Sequence, residues 1–226
     1  MLLIMPRAPR AFVGGICYHV MNRGNGRRAL FRNDGDYQAF LKVIGHACIE
    51  IPMPVLGFRL LPNHFHLVVC PKEDGDLSRW MHGVLNTHVR RYHQHYHTSG
   101  HIWQGRFEAF PIEEDEHSLT ILRHAERNPV RANLVRRAEQ WPWSSAQLWQ
   151  DETAPPNYRA AGPLKRPRCW LDWVNQALMP DELEAVRQCV NRGASFGSAD
   201  WMEKTAKRLG LQSTLRPRGR RRKTAK

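Results

Sequence analysis

From Val55 to Val69 the chain is almost continuously apolar, broken in the middle by the turn-forming pair Pro62-Asn63. That pattern predicts two strands, Val55 to Leu61 and His64 to Cys70, joined by a tight turn. Because side chains alternate faces along a strand, His64 and His66 share one face while Phe65 and Leu67 pack on the other. Ile16 to Met21 follows Gly14-Gly15 and precedes the turn-like Asn22-Arg23-Gly24-Asn25-Gly26, so it reads as an earlier strand. Between these strands Phe40, Leu41, Ile44, Ala47 and Cys48 recur at helical spacing. They predict a helix capped by Asp34 or Asp36, running to about Glu50 and ended by Pro52 and Pro54.

A second helix, a fourth strand and a third helix follow. Trp80, Met81, Val84, Leu85, His88 and Val89 mark a helix opened by Asp76 or Ser78 and reaching the Tyr92 to His97 region. Arg106 to Ile112 predicts a fourth strand, and Asp115-Glu116 leads into a third helix with Leu119, Leu122 and Ala125 on its apolar face. The order β-α-β-β-α-β followed by a helix defines an α+β chain, a ferredoxin-like antiparallel sheet with helices packed on it. After Trp141-Pro142-Trp143-Ser144-Ser145 the composition shifts, and Ala154-Pro155-Pro156 through Pro167 reads as a linker. Short helices are expected over 170–179, 181–191 and 201–209. The resulting division is a domain over 1–150, a small helical extension over 151–212 and a disordered basic tail over 213–226.

Charge narrows the function classes. The 226 residues carry a formal net charge of +13, with a pI near 10.1, which favours a polyanionic partner and nucleic acid in particular. Part of that charge is the arginine-rich end from Arg216 to Lys226. The rest belongs to the body, because Arg90, Arg91, Arg106, Arg123, Arg127, Arg131, Arg136 and Arg137 fall close together in the chain. No segment has transmembrane length, so no membrane role is expected. Met1 to Met5 is too short for a signal-peptide core, and Met5 is an alternative start. The five scattered cysteines, without a Cys-x-x-Cys spacing, read as reduced, mostly buried thiols of a cytoplasmic protein.

Two neutral imidazoles side by side on a strand suit a metal ion, and an ion in so basic a protein is placed to polarise a phosphodiester. The same pair also serves zinc hydrolases, or packs as hydrogen-bonded histidines with no metal at all.

Longer strings separate these alternatives. Asn22-Arg23-Gly24, Leu61-Pro62-Asn63-His64-Phe65-His66-Leu67, Gly100-His101-Ile102-Trp103-Gln104-Gly105-Arg106-Phe107, Arg127-Asn128-Pro129-Val130-Arg131-Ala132 and Trp141-Pro142-Trp143-Ser144-Ser145 together resemble the REP-associated tyrosine transposases, domesticated relatives of the IS200/IS605 transposases. The resemblance covers roughly residues 6 to 150. It implies a single-strand DNA nuclease of the HUH class, named for two histidines flanking a hydrophobic residue. It also implies a divalent Mg or Mn ion, binding to imperfect palindromic hairpins and the single strands beside them, and cleavage with strand transfer in DNA transposition. The expected location is the cytoplasm, at the bacterial nucleoid, and the family includes monomers and dimers, so an oligomer is possible.

On this pattern His64 and His66 are the metal ligands and Asn128 is the third. The family tyrosine stands four residues before that asparagine, and here the position holds His124. His124 and Asn128 share a helical face, but the expected nucleophile is missing. His124 could attack phosphorus itself, act as general base for water, add a metal ligand, or mark lost chemistry with DNA binding retained. Tyr92 or Tyr96 as a shifted nucleophile is a further alternative. Arg90, Arg91, Arg106, Arg127 and Arg131 are the candidate phosphate contacts. Trp103, Phe107 and Trp143 are candidates to stack on unpaired bases, with core packing favoured for Trp141 and Trp143.

Overall fold

Four antiparallel strands form one sheet in the order β2-β3-β1-β4, with β1 Cys17–Arg23, β2 Val55–Leu61, β3 His64–Val69 and β4 Glu108–Ile112. The structure is a computed structural model and describes residues 12–149, 160, 162 and 165–216. Helix α1 (Asp34–Glu50) links β1 to β2, and α2 (Asp76–Tyr96) links β3 to β4. Both pack on the same face of the sheet. Phe40, Ile44, Trp80, Met81 and Val84 from the helices join Tyr18, Val20, Phe58, Leu60, Phe65 and Leu67 from the strands in one core. This is the ferredoxin-like arrangement that the element order predicts.

The opposite face carries α3 (Glu116–Arg131) and the C-terminal helices α4 (Trp170–Asn175) and α5 (Pro180–Arg192). Ile121, Leu122, Trp170, Val174, Val186 and Cys189 close a second core over Cys17, Met21, Val68, Phe110 and Ile112. Gly57 lets α3 sit this low, because a Cβ there would lie 2.6 Å from the Leu122 side chain. The extension is thus built into the domain. Arg123 donates to the Trp173, Gln176 and Ala177 carbonyls at the end of α4, where unpaired helix carbonyls favour a cation. Helices α6 (Ala199–Leu209) and α7 (Gln212–Leu215) complete it, and α7 crosses the expected boundary between extension and tail at 212. Residues 217–226 of that tail, and most of the Pro-rich linker, lie outside the described residues.

Several local expectations need correction. Asn33, not Asp34 or Asp36, caps α1, its side chain accepting the Asp36 N–H at 3.2 Å. The Asp36 carboxylate instead accepts from Arg32 N–H and Tyr96 O–H, at 2.9 and 2.6 Å, tying the start of α1 to the end of α2. The fourth strand begins at Glu108, leaving Arg106 in the preceding loop. Trp141 and Trp143 are packing residues, as their apolar area favours. Trp143 stacks on Tyr37 at 4.8 Å and Trp141 donates to the Leu60 carbonyl at 2.8 Å. Their segment also covers the edge of β2, with Leu60 N–H to the Trp143 carbonyl at 2.8 Å.

The cysteine reading is also overturned in part. Cys17 and Cys70 form a disulfide, because the β1 to β3 register that pairs Tyr18 with Val69 brings the next two residues opposite, with Cα atoms 4.2 Å apart. Cys48, Cys169 and Cys189 are free thiols, and Cys169 is exposed. Sequence spacing could not reveal that pairing, which depends on strand register.

Candidate functional site

The register sets out the site row by row. On the α3 side of the sheet Arg59 pairs with His66, His66 with Met21, and Met21 with Glu108; one row along, Leu61, His64 and Arg23 stand abreast. His64 and His66 therefore share a face, with ring centroids 5.2 Å apart, while Phe65 and Leu67 are buried in the other core. Each imidazole is oriented by a partner. His64 Nδ1 lies 2.6 Å from the Asn63 carboxamide oxygen, which fixes its proton on that nitrogen, and His66 Nδ1 lies 2.8 Å from Nε2 of His19. With its proton on Nδ1, His64 keeps its Nε2 lone pair free, and both residues line one cleft. Asn63 and His19 thus hold the two rings in place from outside the cleft.

Helix α3 closes the other side. It brings His124 and Asn128, four residues apart, into the same cleft of about 760 Å³, together with Asn22, Arg23, Gln104, Arg106, Glu108, Arg131 and, from α5, Arg187. Beneath them lies Arg59, fully buried, donating to the Ala125 carbonyl at 2.7 Å. The Asn128 amide, oriented by the donors around it, has its oxygen 2.9 and 3.2 Å from the Arg59 guanidinium and 3.1 Å from that of Arg131. On the far side of α3 Glu126 accepts from Ser145 Oγ at 2.6 Å and Trp170 Nε1 at 2.7 Å, which pins the helix between β2 and the extension.

The electrostatics of this cleft keep its histidines neutral. Burial, reinforced by the Arg59 charge, pulls His19 from 6.5 to about 3. His64 falls to about 3 for the same two reasons, with Arg23 and Arg131 adding to them. Burial and then Arg59 hold His66 and His124 well below the ordinary histidine range as well. Arg59 has its own pKa lowered, by burial first and then by Arg131. Neutral imidazoles beside guanidiniums leave the cleft with a positive potential that favours an anion.

Of the residues singled out in the sequence, His64, His66, His124, Asn128, Arg106 and Arg131 meet in one cleft. Arg127 does not join them. It donates to the Val174 and Asn175 carbonyls, doing for α4 what Arg123 does. Arg90 and Arg91 lie on α2, across the sheet, and Arg91 lines a separate depression with Gln94, His95 and His97. Tyr92 and Tyr96 are also remote from the histidine pair. Their hydroxyls meet Arg32 at 2.8 Å and Asp36 at 2.6 Å in the seam between α1 and α2, which leaves neither placed as a substitute nucleophile. Trp103 is buried against Phe40, Phe65 and His88 and so is not free to stack on a base, whereas Phe107 is half-buried and stacks on Phe12 at 5.5 Å.

His19 and Arg59 escaped the sequence reading. An arginine inside the apolar run Val55 to Leu61 is a legible signal. His19 had none, since only the β1 to β3 register sets it beside His66. Among the described residues, clusters of three His, Cys, Asp or Glu ligand atoms occur elsewhere: Glu113, Asp115 and His117 at the start of α3, and the disulfide pair with Glu114. The disulfide sulfurs are not thiolates, so the second cluster lacks the donors its composition suggests. No helix among the described residues is long and apolar enough to cross a membrane.

The sheet thus carries a histidine pair on its α3 face, with that helix bringing residues 124 and 128 over it, and this arrangement belongs to a transposase domain. The IS200-like transposase family matches residues 12–127, just over half of the chain, and the protein belongs to that family. The chain is 28% identical over 117 residues to a REP-associated tyrosine transposase assigned in Haemophilus influenzae, covering 47% of this chain and 66% of that protein, just under two thirds. It is 26% identical over 138 residues to the REP-associated tyrosine transposase of Escherichia coli K12, covering 58% and 76%. Its fold is similar to that of a REP-associated tyrosine transposase solved bound to a REP hairpin, with a TM-score of 0.53, 21% identity, and coverage of 70% of this chain and 92% of that one.

Proposed function

We propose that this protein binds imperfect DNA hairpins of the REP type and the single strand beside them, seating one phosphodiester over His64 and His66, without passing it to a protein nucleophile. The observation that carries this reading is the composition of the cleft: the ligand pair, the oriented amide and the arginines are assembled, while the position of the family tyrosine holds a buried, neutral His124. The family membership and the two REP-associated relatives support the choice of DNA.

The residues fit a divalent ion, Mg or Mn, which the imidazoles of His64 and His66 would hold, with Asn128 as oxygen donor. Such an ion, when bound, supplies Lewis-acid polarisation of the phosphate. The Asn128 oxygen faces Arg59 and Arg131, so serving the ion means sharing it with those guanidiniums. Arg23, Arg106 and Arg131 neutralise phosphate oxygens at the cleft mouth. His124 is short for an in-line attack and too weakly basic, buried among cations, to draw a proton readily from water. Loss of one member of a catalytic unit removes most of its rate.

The test is labelled hairpin DNA with Mg or Mn, comparing wild type, His124→Tyr and His64→Ala. The expected result is binding without cleavage by wild type, with cleavage and a covalent adduct appearing in His124→Tyr. An adduct with wild type would make His124 a nucleophile, cleavage without an adduct would make it a general base, and no binding by any version would remove the DNA reading.

A further inference from the structure

Helix α5 lies outside the segment matched by the family, yet it forms one wall of the cleft. Arg187, Val190 and Asn191, spaced by three and four residues, fall on one stripe of the helix and line the same cavity as His64, His66, His124 and Arg131. The helix is held firmly there. Val186 and Cys189 are buried in the second core, Pro180 opens the helix and Gly193, at φ 64°, closes it. Glu182 at its start lies 3.8 Å from Arg123 of α3, whose guanidinium also holds the end of α4. Arg187 is therefore delivered to the cleft by a rigid element.

Its charge is left open as well. Among the described residues no ion pair engages Arg187, nor Arg23, Arg106 or Arg131, although the four guanidiniums line one cleft. Glu108 is the one carboxylate among the lining residues of that cleft, so the guanidiniums outnumber it; they repel one another in the free protein and are relieved by a polyanion. Arg192, on the same helix, lines a different depression with Glu116, Glu182 and Phe196 and provides a matched control.

We propose that Arg187 of the C-terminal extension is a DNA-phosphate contact of the cleft, so that the extension completes the nucleic-acid site begun by the transposase domain. The ligand is a phosphodiester of the single strand that flanks the hairpin. This rests on the DNA-binding reading above and adds a residue from outside the matched domain to it.

The experiment measures affinity of the full chain for a labelled hairpin with a single-stranded flank across a salt series, for wild type, Arg187→Gln and Arg192→Gln. Loss of one phosphate contact to single-stranded DNA is expected to reduce the slope of log K against log salt by about 0.7, with affinity several-fold lower at low salt. Arg192→Gln should track wild type. Replacing flank phosphates one at a time by neutral methylphosphonates should reveal one position at which the Arg187→Gln loss disappears, locating the contact. Unchanged melting temperatures keep the comparison free of folding effects. Wild-type binding with an unaltered Arg187→Gln slope overturns the assignment while leaving the DNA reading standing, and failure of wild type to bind overturns both.

Discussion

The two faces of the sheet are made from the same strands, and both carry a hydrophobic core, but only one of them also buries a polar cluster. Toward α1 and α2 the strands present Tyr18, Val20, Phe58, Leu60, Phe65 and Leu67, a close-packed apolar layer. Toward α3 the same strands are divided: Cys17, Val68, Phe110 and Ile112 pack in the second core, while His19, Arg59, His64 and His66 gather with His124 and Asn128 from the helix. The first face is what folding selects. Burying an arginine and four weakly basic histidines on the second opposes folding, and its cost is offset by hydrogen bonds to Ala125, Asn128 and Asn63 and by the hydrophobic layer behind it. The first face thus serves stability alone, whereas the second combines a hydrophobic core with the polar cleft proposed to bind DNA.

Phe65→Ala should break the division hardest. It opens a cavity between Phe40 and Trp103 and should cost about 3–5 kcal/mol in urea unfolding, while the folded fraction binds hairpin DNA normally. A comparable loss of affinity with little loss of stability would undo the separation. Reduction of the Cys17–Cys70 disulfide should come next, at about 2–4 kcal/mol by the same measurement, because it frees a long loop between residues separated by 53 in sequence.

Acid should act on both faces. His19 and His64 have folded pKa values of about 3 and His88, on the α2 side, about 4, each depressed from 6.5 chiefly by burial. The unfolded chain then binds more protons than the folded one between those values, so stability is full above about pH 6.5 and declines as pH falls toward 3. His88→Phe, set among Phe31, Phe40 and Trp103, should flatten part of that decline and leave DNA binding untouched, as urea titrations at pH 7, 5 and 4 would show. His66→Ala should have the reverse profile, with a modest change in stability and a loss of the Mn-dependent part of DNA affinity. The smallest effect separates the arginines: Arg106→Gln should lower the salt slope by about 0.7, whereas Arg90→Gln, on the other face, should leave it unchanged.

Much of the frame was legible in the chain. Alternation around Phe65 put His64 and His66 on one face, and helical spacing joined His124 to Asn128, because both periods are local properties of backbone geometry. Arg127 shows where local reasoning fails. It sits one residue from Asn128 in a recognisable motif, yet its guanidinium caps α4 across more than forty residues of chain, an interaction that neither charge nor spacing announces. The cap of α1 departs from the expected residue for a smaller reason of the same kind, since the Asp36 carboxylate accepts from Tyr96 of a distant helix.

By itself, the sequence determined the element order, the faces of each strand, the basic character and the substitution at position 124. Tertiary structure alone decided that His19 supports His66, that Arg59 lies beneath Asn128, that Cys17 meets Cys70, and that α5 brings Arg187 to the cleft. The division follows from range: strand and helix periodicity act between residues a few positions apart, whereas register and packing join residues whose separation in the chain carries no signal of their meeting.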